Sequence, residues 1–122
     1  SAGFKELKNS SDVANEFNNA EGTMLVVVNS VCGCAAGAAR PGVKLSLTAD
    51  NKPARLVTVF AGQDTDAVSE ARKHMLPYPP SSPSIALFKD GKLAHFVERH
   101  QIEGRNANMI AEHLKMVYEE LC

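Results

Sequence analysis

Three short apolar runs set the rhythm of the chain. Thr23 to Asn29 (TMLVVVN) and Ala54 to Phe60 (ARLVTVF) are nearly continuous and β-branched. Such runs mark strands buried on both faces. Ser84 to Lys89 (SIALFK) reads as a third strand. Asp90-Gly91 follows as a two-residue hairpin signal, so Lys92 to Arg99 (KLAHFVER) is expected to return antiparallel.

Between these runs the apolar spacing changes to that of helices. Asn9, Ser10 and Ser11 are N-cap residues, Val13, Phe17 and Ala20 recur at helical spacing, and Gly22 closes the segment. Cys34 to Leu47 is alanine-rich and helical by propensity, with Pro41 inside it and expected to kink it. Asp64 to Met75 carries acids near its start and Arg72, Lys73 and His74 near its end, which suits a helix dipole. Gly104 to Asn106 opens a last helix through Leu121, with Met109, Ile110, His113, Leu114, Val117 and Leu121 as its stripe. Phe4 and Leu7, within Gly3 to Lys8, suggest a small edge strand.

The order is (β)αβαβαββα. Alternating strands and helices predict parallel strands covered on both faces, with a C-terminal antiparallel hairpin and a final helix. The fold class is therefore α/β, a three-layer α/β/α domain with a mixed sheet of four to five strands. The 122 residues form one domain, 1–122. The chain begins with Ser1 and not Met, so some residues are expected upstream.

Composition narrows the function. Thirteen Lys+Arg stand against 14 Asp+Glu, with no basic run, so a nucleic-acid partner is not expected. The longest apolar stretch, Met24 to Val28, is too short for a membrane span. An odd count of three cysteines, Cys32, Cys34 and Cys122, does not suit a secreted disulfide framework and points to a reducing compartment.

Cys32 and Cys34 are the candidate chemistry. Cys32-Gly33-Cys34 sits between a strand and a predicted helix start. Unpaired amides and the helix dipole there favour a thiolate, the nucleophile of disulfide exchange. Small neighbours (Gly33, Ala35, Ala36) leave the sulfur open. Two cysteines one residue apart bridge only when curled, because a disulfide needs Cα atoms about 4.4–6.8 Å apart, whereas an extended pair spans roughly 7 Å. A strained, easily reduced disulfide is expected, with an oxidising or isomerising potential. Two other readings stand beside this one: a pair of inert packed thiols, and half of a zinc or iron–sulfur site. No histidine shows metal spacing with the pair, and no bound metal or cofactor is expected.

Pro83, after Ser82 and before a strand, is a candidate cis peptide; its ordinary reading is a turn proline. Cys122 reads as an exposed terminal thiol or as a resolving cysteine. Met75, Met109 and Met116 read as core filler, and His74, His95 and His113 are assigned no chemistry.

The stretches VVVNSVCGCAAGAARPG and PYPPSSPSIALFKDGKLAHFVERHQIEGR resemble, together, the bacilliredoxin (YphP/YqiW) family of thioredoxin-like proteins, which carries a Cys-Gly-Cys motif. The resemblance covers essentially the whole chain. It implies a cytoplasmic thiol–disulfide oxidoreductase or disulfide isomerase. Its partners would be protein mixed disulfides, with bacillithiol or an equivalent low-molecular-weight thiol as co-substrate. It implies that Cys32 attacks and Cys34 resolves, and that Gly33, Ser82 and Pro83 line the substrate site. Arg99, His100 and Arg105 are candidates to hold a carboxylate of such a thiol. The chain departs from ordinary thioredoxins in its one-residue spacer, in Val31 where they have tryptophan, and in the missing acid between Thr23 and Val28. Without that acid, Cys34 is expected to attack more slowly. The alternative is a non-catalytic thioredoxin-like adaptor or a metal-binding protein.

Overall fold

A computed structural model describes residues 5–18, 22–30, 41–48, 53–61, 65–75, 84–102 and 105–122. Five strands form one sheet: β1 (Lys5–Glu6), β2 (Thr23–Ser30), β3 (Arg55–Ala61), β4 (Ser84–Lys89) and β5 (Lys92–Val97). Their order is β1-β3-β2-β4-β5. β3 runs parallel to both β1 and β2, whereas β4 is antiparallel to β2 and β5. The helices are α1 (Ser10–Asn18), α2 (41–46), α3 (Thr65–Lys73), α4 (Arg99–Ile102) and α5 (Ala107–Leu121). This is the expected mixed α/β arrangement, edge strand included.

The two apolar runs are central because both faces of the sheet are covered. Met24, Val26 and Val28 of β2 join Val57, Val59, Ala86 and Phe88 beneath α1 and α3. Leu25 and Val27 join Ile85, Leu87 and the buried faces of α2, α4 and α5. A period of two thus sends alternate residues of one run into two separate cores. Each fully buried Val or Leu contributes about 1.5–3 kcal/mol, so β2 is the most heavily stabilised strand.

The β4–β5 ladder contains a bulge. Leu87 pairs with His95 but Phe88 pairs with Leu93, leaving Ala94 as the extra residue. The shift returns Leu93 to the side of Phe88, where it packs on the first core. Without it, strict alternation would send Leu93 to the opposite face.

The hairpin turn takes the form its sequence predicts. Asp90 (φ 52°) and Gly91 (φ 80°) both lie in the left-handed region, as a type I′ turn requires. Asp90 also ties the turn to β2. The Gly22 amide donates to its carboxylate at 2.8 Å, and its own amide donates to the Gly22 carbonyl at 2.8 Å. Replacing Asp90 with Ala puts a Cβ-bearing residue with no compensating hydrogen bond at positive φ. A loss of about 1–2 kcal/mol is expected, read as a lower denaturant midpoint at unchanged slope.

Two expectations are corrected. The strand starting at Lys92 stops at Val97, and Arg99–Ile102 form the short helix α4. Glu98 holds the N-cap position: its amide donates to Oε1 of Gln101 at 2.9 Å, and the Gln101 amide donates to the Glu98 carbonyl. This is the back half of a capping box, hidden in the sequence because Glu stands where Ser or Thr is usual. Of the three methionines expected in the core, Met75 is buried, but Met109 and Met116 are about half exposed. α5 instead buries Ile110, Ala111, Leu114, Val117 and Tyr118. Tyr118 tolerates burial because its hydroxyl is bonded, as described next. The predicted kink at Pro41 involves residues outside the described ones.

Candidate functional site

Cys32, Gly33, Cys34, Ser82 and Pro83 lie outside the described residues. What is described is the frame they join. β2 ends at Ser30, two residues before Cys32. β4 begins at Ser84, one residue after Pro83. In the register of these neighbouring strands Val28 pairs with Ser84. The carboxyl end of β2 and the amino end of β4 therefore lie at the same edge of the sheet. Because β2 and β3 are parallel, this is also the carboxyl edge of the parallel strands, where open α/β sheets bind their ligands.

α2 follows the cysteine pair in sequence, and its described part is seated tightly against α5. A Cβ built on Gly42 would lie 2.7 Å from both Cβ and Cγ2 of Ile110 and 3.2 Å from the Ala107 carbonyl oxygen. Only a glycine lets the two backbones come this close. One turn on, Ser46 and Tyr118 are both fully buried and hydrogen-bonded at 3.0 Å. Ser46 Oγ also donates to the Val43 carbonyl. Its single proton is thereby used, so Tyr118 is the donor to Ser46. Burial pushes the Tyr118 phenol up to about 12, offset in part by the Ser46 bond and reinforced by the negative charge at Cys122. The phenol stays protonated at physiological pH, and the relay Tyr118–Ser46–Val43 is neutral throughout.

The buried polar residues among those described are Thr23, Ser46, Thr58 and Ser84. No carboxylate is among them. β2 offers no acid to either core, in keeping with the apolar reading of its sequence. Thr58 spends its hydroxyl on the Val27 carbonyl at 2.8 Å, a bond between central strands.

Several contacts escaped the sequence reading. Ser46 and Tyr118 are 72 positions apart and carry no shared motif. Gly42 and Ser46, four residues apart on α2, were a legible signal of a close-packed small-residue face. His95 and His113 approach each other across β5 and α5. His74, by contrast, serves packing. Its ring stacks on Phe17 at 3.8 Å, and Phe17 meets Phe88 edge-on. Cys122 is exposed and free at the end of α5. Among the described residues no group of three or more His, Cys, Asp or Glu is placed to hold a metal. No described helix is long and apolar enough to cross a membrane.

Comparison with known proteins agrees with this frame. The yeast mitochondrial thioredoxin 3 structure, in its oxidised form, superposes over 99% of this chain and 100% of its own, with a TM-score of 0.66 at 18% identity. That establishes a thioredoxin-like fold. A family model described as Disulphide isomerase matches residues 1–122. The chain belongs to this family, the bacilliredoxins. It is 62% identical over 120 residues to a bacilliredoxin of Cytophaga hutchinsonii, covering 98% of this chain and 88% of that protein. It is 52% identical to a bacilliredoxin of Halalkalibacterium halodurans, covering 98% of this chain and 83% of that protein. As a member of the bacilliredoxin family, the chain is a thiol–disulfide oxidoreductase.

Proposed function

We propose that the chain removes a low-molecular-weight thiol, bacillithiol or its equivalent, from mixed disulfides on proteins, with Cys32 as nucleophile. The Cys32 thiolate attacks the small-thiol sulfur of the mixed disulfide. The protein thiolate leaves and takes up a proton, and the small thiol stays bonded to Cys32. Cys34 then attacks the Cys32 sulfur and expels the small thiol, leaving a Cys32–Cys34 disulfide for an external thiol to reduce. Ser82 and Pro83, entering from β4, would form the wall against which an extended substrate lies, with Gly33 keeping the approach open. The same nucleophile would also isomerise protein disulfides by attacking them directly. The reducing cytoplasm is the compartment this chemistry suits.

The observation that carries this reading is the register of β2 with β4. It sets the end of β2, two residues before Cys32, beside the start of β4, one residue after Pro83, which supports a site shared by the two stretches. That no carboxylate is buried among the described residues supports a slow Cys34, and hence exchange and isomerisation rather than rapid general reduction.

The experiment offers the reduced protein two substrates, a protein carrying a bacillithiol mixed disulfide and a scrambled-disulfide protein. The expected result is stoichiometric release of bacillithiol from the first, at a rate exceeding that of rearrangement of the second. Stoichiometric zinc or iron on protein purified under reducing conditions, with no release, would favour the metal-binding alternative and overturn the proposal.

A further inference from the structure

His95 lies on β5, on the face that meets the core beneath α5, and pairs across the ladder with Leu87. His113 lies on α5 between the buried turns of Ile110 and Val117. Their Nε2 atoms are 3.1 Å apart, with ring centroids at 5.2 Å. The rings therefore meet almost tip to tip. One proton fits between two nitrogens at this distance, as an N–H···N hydrogen bond, and two do not.

We propose that His95 and His113 share one proton as a latch that holds α5 on the β4–β5 hairpin, and that protonating both rings opens it.

The charged groups acting on the pair set which ring takes a charge first. Glu120 of α5 favours charge on His95, while Arg105, just before α5, disfavours it on His113. In the singly protonated pair His95 therefore carries the charge and donates through Nε2–H to Nε2 of His113. The first added proton thus leaves the bond intact. A second has to occupy Nε2 of His113. It removes the acceptor and sets two positive rings tip to tip.

Both rings are held below the usual histidine range. Burial is the main cause for each, followed by His113 for His95 and by Arg105 for His113. The folded protein then binds fewer protons than the unfolded chain just below pH 6.5, the ordinary value. Stability from the latch is full above that pH and is lost as pH falls through the lowered values. α5 also carries Tyr118 and Ile110, which seat α2, so loosening α5 in acid loosens the seat of α2.

The test is an imidazole ¹⁵N titration of the whole protein from pH 8 to 4.5, with amide hydrogen exchange of α5 at both ends. The expected result is two coupled steps separated by more than about one pH unit, with both Nε2 signals responding to each. In His113→Gln, His95 should titrate in one step with a raised midpoint, and the acid-induced loss of α5 protection should disappear. His74 should be unchanged and serves as internal control. Should His113→Gln not fold, His95→Gln gives the reciprocal reading on His113. A His95 titration indifferent to the substitution of His113, or α5 protection that is equal at pH 7.5 and pH 5 after correction for intrinsic exchange, would overturn the proposal.

Discussion

Replacing Cys32 with Ser is expected to reduce thiol–disulfide exchange to background, whereas replacing Cys34 with Ser leaves a first turnover. A serine hydroxyl is not ionised near neutral pH and is not a nucleophile toward a disulfide without a dedicated base, whereas a thiolate is. The two cysteines have unequal positions in the proposed sequence of steps. Cys32 makes the bond to the incoming sulfur. Cys34 acts only to break it. Cys34→Ser therefore captures substrate and stalls, releasing the small thiol only as fast as an external thiol attacks. The slow resolution expected of Cys34 in the native protein follows from the lack of a buried carboxylate among the described residues to take its proton. The measurement is a single-turnover assay against a bacillithiolated protein, with the amplitude of released protein thiol read separately from that of released small thiol. Wild type releases both. Cys34→Ser releases the protein thiol alone. Cys32→Ser releases neither.

The second large effect is in packing. Gly42→Ala is expected to destabilise the fold, although in an open helix the same change stabilises it by about 1 kcal/mol. The sign turns on the contact with α5. A methyl at 2.7 Å from Ile110 Cβ and Cγ2 cannot be placed without moving a helix. Overpacking of this kind costs typically 1–3 kcal/mol, which exceeds the propensity gain. Gly42→Val adds two further carbons and a β-branched penalty, so its loss is larger. Equilibrium denaturation of the two variants checks the order: wild type most stable, then Ala, then Val. Adding Ile110→Ala to Gly42→Ala relieves the Cγ2 contact and should recover part of the loss, so the two substitutions are non-additive. The variants also separate seat from chemistry. They should weaken the Ser46–Tyr118 bond, seen in the Tyr118 environment, while leaving Cys32 available to a small thiol reagent.

Much of this fold was legible because the runs of β2 and β3 are nearly continuous and β-branched, the mark of strands buried on both faces. Asp90-Gly91 was equally plain, since few dipeptides accept positive φ at both positions. The errors arose where tertiary contacts decided. The chain turns into α4 after Val97 because Gln101 closes back on the Glu98 amide, a local bond that apolar periodicity does not register. On α5 the expected stripe holds at Ile110, Leu114 and Val117 but extends to Ala111 and Tyr118 and not to Met109. Met109 and Met116 looked apolar enough for the core but face outward, while Tyr118, absent from the expected stripe, is buried with its hydroxyl bonded to Ser46 of a distant helix. The histidines lacked any spacing signal, because the bulge at Ala94 and the pitch of α5 together bring His95 to His113. The frame of the expected site was legible for a different reason. Hydrophobic runs locate strand ends well, and the ends of β2 and β4 fall two residues before Cys32 and one after Pro83, while the three residues themselves lie outside the described ones.

The central claim, that Cys32 is the attacking thiol, is tested most directly by the mass of Cys34→Ser after exposure to a bacillithiolated protein under non-reducing conditions. The account predicts one adduct of bacillithiol mass, removed by dithiothreitol and mapped by peptide analysis to Cys32. An adduct on Cys122 with Cys32 unmodified, or an unmodified protein that has nevertheless released protein thiol, would contradict it.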